Sequence, residues 1–135
     1  MEQPTFTDEQ KANLRRLAEA MRAGAALRPQ ATGVLFRKHW TVNKSEMQSC
    51  ALGAAWEGSH PGFDPHKWLM DMDANDPEFI GLTDVENYFG LMNLACNDPF
   101  MHEPTTTVVS VIITMNDRKG YTREMIADWL LTLAQ

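Results

Sequence analysis

The sequence predicts a mainly α fold, an irregular bundle of four or five helices with room for one short strand pair. Three observations carry this. Apolar residues recur at three- and four-residue steps over residues 8–24 and again over 122–133, the spacing of a single buried helix face. A Ser or Thr followed three residues later by Gln or Glu occurs at Thr7/Gln10, Ser45/Gln48 and Thr83/Glu86, and such a pair forms a capping box at a helix start. The best strand signal is confined to residues 32–40, where Val34, Phe36 and Trp40 share a parity. The 135 residues, 44% of them hydrophobic, suit one domain spanning 1–135 with one core.

The first helix is expected over residues 8–24. Thr7 caps it, and Leu14, Leu17, Ala18 and Met21 form its inner face. Gly24 suits a left-handed cap at its end, and Pro29 stops it in any case. The 32–40 segment lacks an evident partner strand, so a short strand or an extended stretch is expected. Ser45 is read as the cap of a second helix over 46–57, ended by Gly58. Cys50, Ala51, Gly53, Ala54 and Ala55 give that helix a face of small side chains. Small side chains let another backbone approach closely, which makes it the candidate central helix, with the first and last helices packed on it. Residues 59–81 read as loop with short helical turns, started at Asp64-Pro65 and Asp76-Pro77 by an acid followed by proline. Thr83 is read as the cap of a helix carrying Val85, Phe89, Met92 and Cys96, followed by a turn at Asp98-Pro99. Residues 105–115 are rich in β-branched side chains but do not alternate, so helix and strand both remain open there. Residues 116–120 read as a turn. Thr122 then caps a last helix with Met125, Ile126, Trp129, Leu130 and Leu133 as its stripe.

Four segments come in an order that resembles a family of small uncharacterised bacterial and bacteriophage proteins. They are Arg28-Pro29-Gln30, Ser49-Cys50-Ala51-Leu52-Gly53-Ala54-Ala55, Asn116-Asp117, and Thr122-Arg123-x-x-Ile126-Ala127-x-Trp129-Leu130. The resemblance spans about residues 10–133. It implies helix for 106–116 and implies no activity.

Charge bounds the function. The net charge is −6 and the pI about 5.1. Nucleic acid is held by a basic face, so no direct nucleic-acid binding is expected. Residues 122–133 look like the first helix of a helix-turn-helix, but no recognition helix follows them. No apolar run approaches a membrane span, and Met1–Asp8 is polar and acidic, unlike a signal peptide. Cys50 and Cys96 are the two cysteines. Two isolated thiols without a secretion signal suit a reducing, cytoplasmic setting. Residues 1–44 carry a net charge of +4, residues 45–117 one of −11, and residues 118–135 one of +1. Either the basic N-terminal helix neutralises the acidic middle, or an acidic face meets a basic protein partner. Nothing in the sequence indicates an oligomeric state.

Three constellations are candidates for chemistry. Cys50 near a helix start, with His39 the nearest histidine in sequence, is one nucleophilic arrangement; His60, His66 and His102 are the other bases. Against it, Cys50 sits among Ala and Gly, where cysteine acts as a small buried hydrophobe. Asp71, Asp73, Asn75 and Asp76 begin like a calcium loop. The sixth position, Asp76, should be Gly, and the twelfth, Leu82, should be Glu, so no metal is expected there and capping of helical turns is the plainer role. His60 and His66 lack the ligand spacing of a zinc site. No phosphate-binding glycine loop or hydrolase motif occurs, so no cofactor is expected. The reading favoured by the sequence is a non-enzymatic interaction protein, with Asp71, Asp73, Asp76, Glu78, Asp84 and Glu86 meeting the basic partner. A small enzyme using Cys50 and a metal site at residues 71–78 are the alternatives.

Overall fold

A computed structural model of the chain describes residues 3–40, 42, 45–70, 75, 79–100 and 105–135. Among them the elements run α1 (Asp8–Ala25), β1 (Phe36–Trp40), β2 (Ser45–Ser49), α2 (Ala51–Ser59), α3 (Pro65–Met70), α4 (Leu82–Tyr88), β3 (Ala95–Asn97), β4 (Thr105–Thr107), α5 (Val108–Asp117) and α6 (Arg123–Leu133). The fold is mainly helical, with two small antiparallel strand pairs. Among the described residues, no helix is long and apolar enough to cross a membrane.

The start of α1 is the capping box expected from its sequence. Thr7 Oγ1 accepts the Gln10 amide at 3.1 Å, and Gln10 Oε1 accepts the Thr7 amide at 2.8 Å. Its end differs from expectation. Gly24 lies inside the helix, which closes on Ala26 in the right-handed region. Glycine is needed there because α2 crosses α1 at that point: a Cβ on Gly24 would lie 1.7 Å from the Ala54 carbonyl oxygen. Gly58, expected to stop α2, likewise lies within it, and its Cβ would meet Ala20 O at 2.0 Å. The small-residue helix is thus central, as its composition implies, with Ala51 through Ala55 buried. The last helix, expected against α2, packs mainly on α1. Its buried stripe is narrower than expected. Ile126, Leu130 and Leu133 are inside, Trp129 is half-buried and Met125 is exposed.

The largest departure concerns residues 45–49. Ser45 and Gln48 do not cap a helix; they belong to β2. The register runs from Phe36 opposite Ser49 to Trp40 opposite Ser45. A lone β1 would leave its backbone groups unpaired, and that tertiary need overrides a local capping pattern. The period of two is visible in hindsight, since Met47 and Ser49 point inward between more exposed neighbours. In consequence Cys50 is the cap of α2 and does not sit a turn inside it.

Asp64 starts α3 as expected, its Oδ1 accepting the His66 amide at 2.9 Å. The Asp76-Pro77 turn lies outside the described residues. The cap of α4 is Gly81, not Thr83; Asp84 Oδ2 reaches back to accept the Gly81 amide at 2.8 Å. That helix ends at Tyr88, so it does not carry Met92 and Cys96 as expected. Gly90, at φ +69°, turns the chain away, Met92 is exposed, and Cys96 is buried in β3. The expected turn at Asp98-Pro99 forms, with Asp98 Oδ1 accepting the Phe100 amide at 2.8 Å. The ambiguity of residues 105–115 resolves into both states. Thr105–Thr107 pairs with Ala95–Asn97, and Thr107 then caps α5 by accepting the Ser110 amide at 3.2 Å. Residues 116 and 117, expected in a turn, form the last turn of α5.

Candidate functional site

Residues from the four segments noted in the sequence converge on the junction between β2 and α2. Ser49 ends β2 fully buried. Its amide donates to Pro29 O at 3.0 Å and its carbonyl accepts from Ala31 N at 2.8 Å, which straps the 28–31 segment to the strand. Cys50 follows, its amide donating to Leu35 O at 3.0 Å. Its Sγ accepts the Gly53 amide at 3.3 Å, as an N-cap side chain does.

Asn116 comes to this junction from the last turn of α5. Its Oδ1 accepts from Gln30 Nε2 at 2.9 Å and from the Ala51 amide at 3.0 Å. Its Nδ2 donates to Ala31 O at 2.9 Å and to Asp117 Oδ1 at 2.7 Å. All four hydrogen-bonding positions of the amide are filled, so Asn116 braces the wall and has nothing left for a ligand. Asp117 Oδ1 also accepts the Gly33 amide at 3.0 Å.

Arg123, in the first turn of α6, also reaches the junction and is buried. Nη1 donates to Ser49 Oγ at 2.9 Å and Ser49 O at 3.2 Å; Nη2 donates to Arg28 O at 2.6 Å and Ala25 O at 3.3 Å. One guanidinium thus ties the end of α1, the following loop, the end of β2 and the start of α6. Burial lowers its pKa, and carbonyl dipoles stand where a carboxylate would be expected. Arg28, beside it, forms a two-pronged pair with Glu57 of α2 at 2.7 and 2.6 Å.

Over this junction opens a cavity of about 230 Å³. Its walls are mostly aliphatic, with Val34, Leu35, Leu52, Leu82, Ile112 and Ile113 among them, and its polar end is formed by Cys50, Asn116 and Asp117.

The sequence-derived candidates fare unevenly. Cys50 reaches the cavity wall, but burial raises the pKa of its thiol and outweighs the Gly53 and Leu52 amides that favour the thiolate. His39 is not brought to it. The Cys50 amide bonds Leu35, and exposed His39 pairs with Glu46 four residues further along, about 13 Å away at the rise of an extended chain. His60 instead stacks on Trp56 with ring centres 3.8 Å apart, its Nδ1 2.8 Å from Trp56 O. His66 is exposed in α3, and His102 lies outside the described residues. So do Asp71, Asp73, Asp76 and Glu78. Asp84 is exposed and holds the start of α4, while Glu86 is half-buried one turn along. Among the described residues no three His, Cys, Asp or Glu side chains gather as metal ligands.

The roles of Gln30, Asn116 and Arg123 were not read from the sequence. The available signal was an Asn-Asp pair at the end of an otherwise apolar helix and an Arg immediately after a capping Thr. Both are polar residues at positions that the flanking apolar pattern buries. Compared with models of known families, with curated proteins and with solved structures, the chain finds no match.

Proposed function

We propose that this chain is a non-enzymatic binding protein of the cytoplasm that meets a basic protein partner through the acidic surface of residues 45–117. The resemblance noted above adds a bacterial or bacteriophage origin to the reading. We take residues 1–135 as one domain, an irregular helical bundle. The observation that carries the proposal is where the chain's arginines go. Arg15 donates to Ala134 O, and Arg16 donates to Tyr88 O while lying over the Tyr88 and Phe89 rings. Arg123 is held by backbone carbonyls, and Arg22 pairs with Asp128 of α6. Among the described residues, only Arg28 of the arginines named engages an acid of the middle segment, Glu57. Asp64 and Asp84 turn one oxygen to a helix start and stay exposed to solvent. A surface of this kind favours encounter with a positively charged partner and disfavours polyanions.

Fluorescence anisotropy of an Arg- and Lys-rich peptide titrated with the protein tests this. Affinity should fall about tenfold or more between about 0.05 and about 0.5 M salt, because exposed charge pairs are screened. A variant with Asp71, Asp73, Asp76 and Asp84 changed to Asn, and Glu78 and Glu86 to Gln, should weaken the low-salt binding by a similar factor. Binding that ignores both salt and these substitutions, or duplex DNA binding more tightly than the peptide, would overturn the proposal.

A further inference from the structure

We infer that the cavity between Leu35, α2 and α5 binds a small organic cation with an apolar body, an arylalkyl amine being the representative chemistry. The inference does not rest on the basic partner proposed above, and Asp84 and Glu86, the described acids assigned to that partner, do not line the cavity. Three observations carry it. The cavity holds about 230 Å³, whereas a core cavity of about 150 Å³ accepts a benzene molecule, so a ring with a short chain fits. The walls named above are aliphatic and suit the body of such a molecule.

The third observation is the carboxylate at the polar end. Both described hydrogen bonds of Asp117 fall on Oδ1, from Gly33 N and Asn116 Nδ2. Oδ2 of a cavity-lining residue is left for an incoming donor. Asn116 is saturated, so the ligand's polar group has Asp117 as its anchor. The Cys50 thiol is the other polar group on the wall, and burial keeps it neutral. The basic residues next in sequence do not neutralise the site from within: Lys119 lies over the Phe100 ring, and Arg118 does not line the cavity. Asp117 is exposed at the rim of the cavity, where its free carboxylate oxygen binds a charged donor more strongly than a neutral one.

The test compares 2-phenylethylamine with 2-phenylethanol, which has the same body without the charge. Binding is read by ligand-observed NMR and by protection of Cys50 from alkylation. The amine should bind with a dissociation constant on the order of 1 mM, about tenfold tighter than the alcohol, and should slow labelling of Cys50. Asp117→Asn keeps an acceptor for Gly33 and should abolish the preference for the amine while leaving the alcohol's affinity unchanged. Ile113→Lys, at an exposed cavity-lining position, places an ammonium beside Asp117 and should exclude the amine. It also carries the test if Asp117→Asn does not fold. Equal affinity for amine and alcohol, a preference that survives both substitutions, or no protection of Cys50 at saturating amine would overturn the inference.

Discussion

Arg123→Met should cost about 4 kcal/mol of folding stability, read from the urea midpoint of the circular dichroism signal at constant slope. Methionine fills much the same volume, so the loss reports hydrogen bonding and not a cavity. The carbonyls of Arg28 and Ala25 and the hydroxyl of Ser49 would all lose a charged donor at once, while the Ser49 carbonyl would keep only the Ala31 amide. Each buried polar group left without a partner costs about 1–3 kcal/mol, and relaxation recovers part of the sum. Arg123→Lys should recover less than half of the loss. An ammonium is a point donor and does not span acceptors on two sides as the planar fork does. A cost below about 1 kcal/mol for the methionine variant would mean that the junction is held by packing alone.

The second large effect is at the crossing of α1 and α2. Gly24→Ala should destabilise by about 3 kcal/mol. In an exposed helix the same change stabilises by up to about 1 kcal/mol through backbone entropy, so the expected sign is reversed. The reversal follows from geometry. The new Cβ would stand 1.7 Å from Ala54 O and 2.4 Å from Ala54 C, atoms of another helix's backbone that have no rotamer to adopt. Gly58→Ala meets Ala20 O at 2.0 Å and should behave alike, and Gly53→Leu meets Leu35 O at 2.2 Å. Thermal denaturation of the three variants checks the set. A melting temperature unchanged by Gly24→Ala would mean that the two helices do not meet through their glycines.

The legibility of the fold follows the range of the forces involved. Thr7, Asp64 and Thr122 act within one turn of their own helices, and each starts a helix as its sequence implies. Ser45 carries the same local pattern and fails, because pairing with β1 satisfies five residues of backbone that a capping box does not reach. Gly24 and Gly58 look like helix ends for the same reason. Their glycine is required by a neighbour distant in sequence, and a single chain read locally cannot distinguish that requirement from a left-handed cap. The small face of α2 was legible because its composition is extreme. The site was legible only as a set of residues. Cys50, Asn116 and Arg123 stand out in the order of segments, but the bonds that Asn116 and Arg123 make to earlier parts of the chain reach across 65 to 98 positions. No periodicity encodes such separations.

The central claim is that Ser49-Cys50-Ala51 is a structural junction whose cysteine caps a helix as a neutral thiol. The pH profile of Cys50 alkylation by iodoacetamide, followed by mass spectrometry against a denatured control, tests it most directly, since the thiolate is the form that reacts. Burial lifts the Cys50 thiol above its ordinary value, and Cys96, pushed up to about 11, serves as an internal reference. The account predicts that native Cys50 reacts more slowly than in the denatured chain at pH 7. Its rate should still be rising above pH 9, where the denatured thiol is levelling off. Native labelling faster than the denatured control at pH 7, with a midpoint below about 8, would contradict the account and make Cys50 an activated nucleophile.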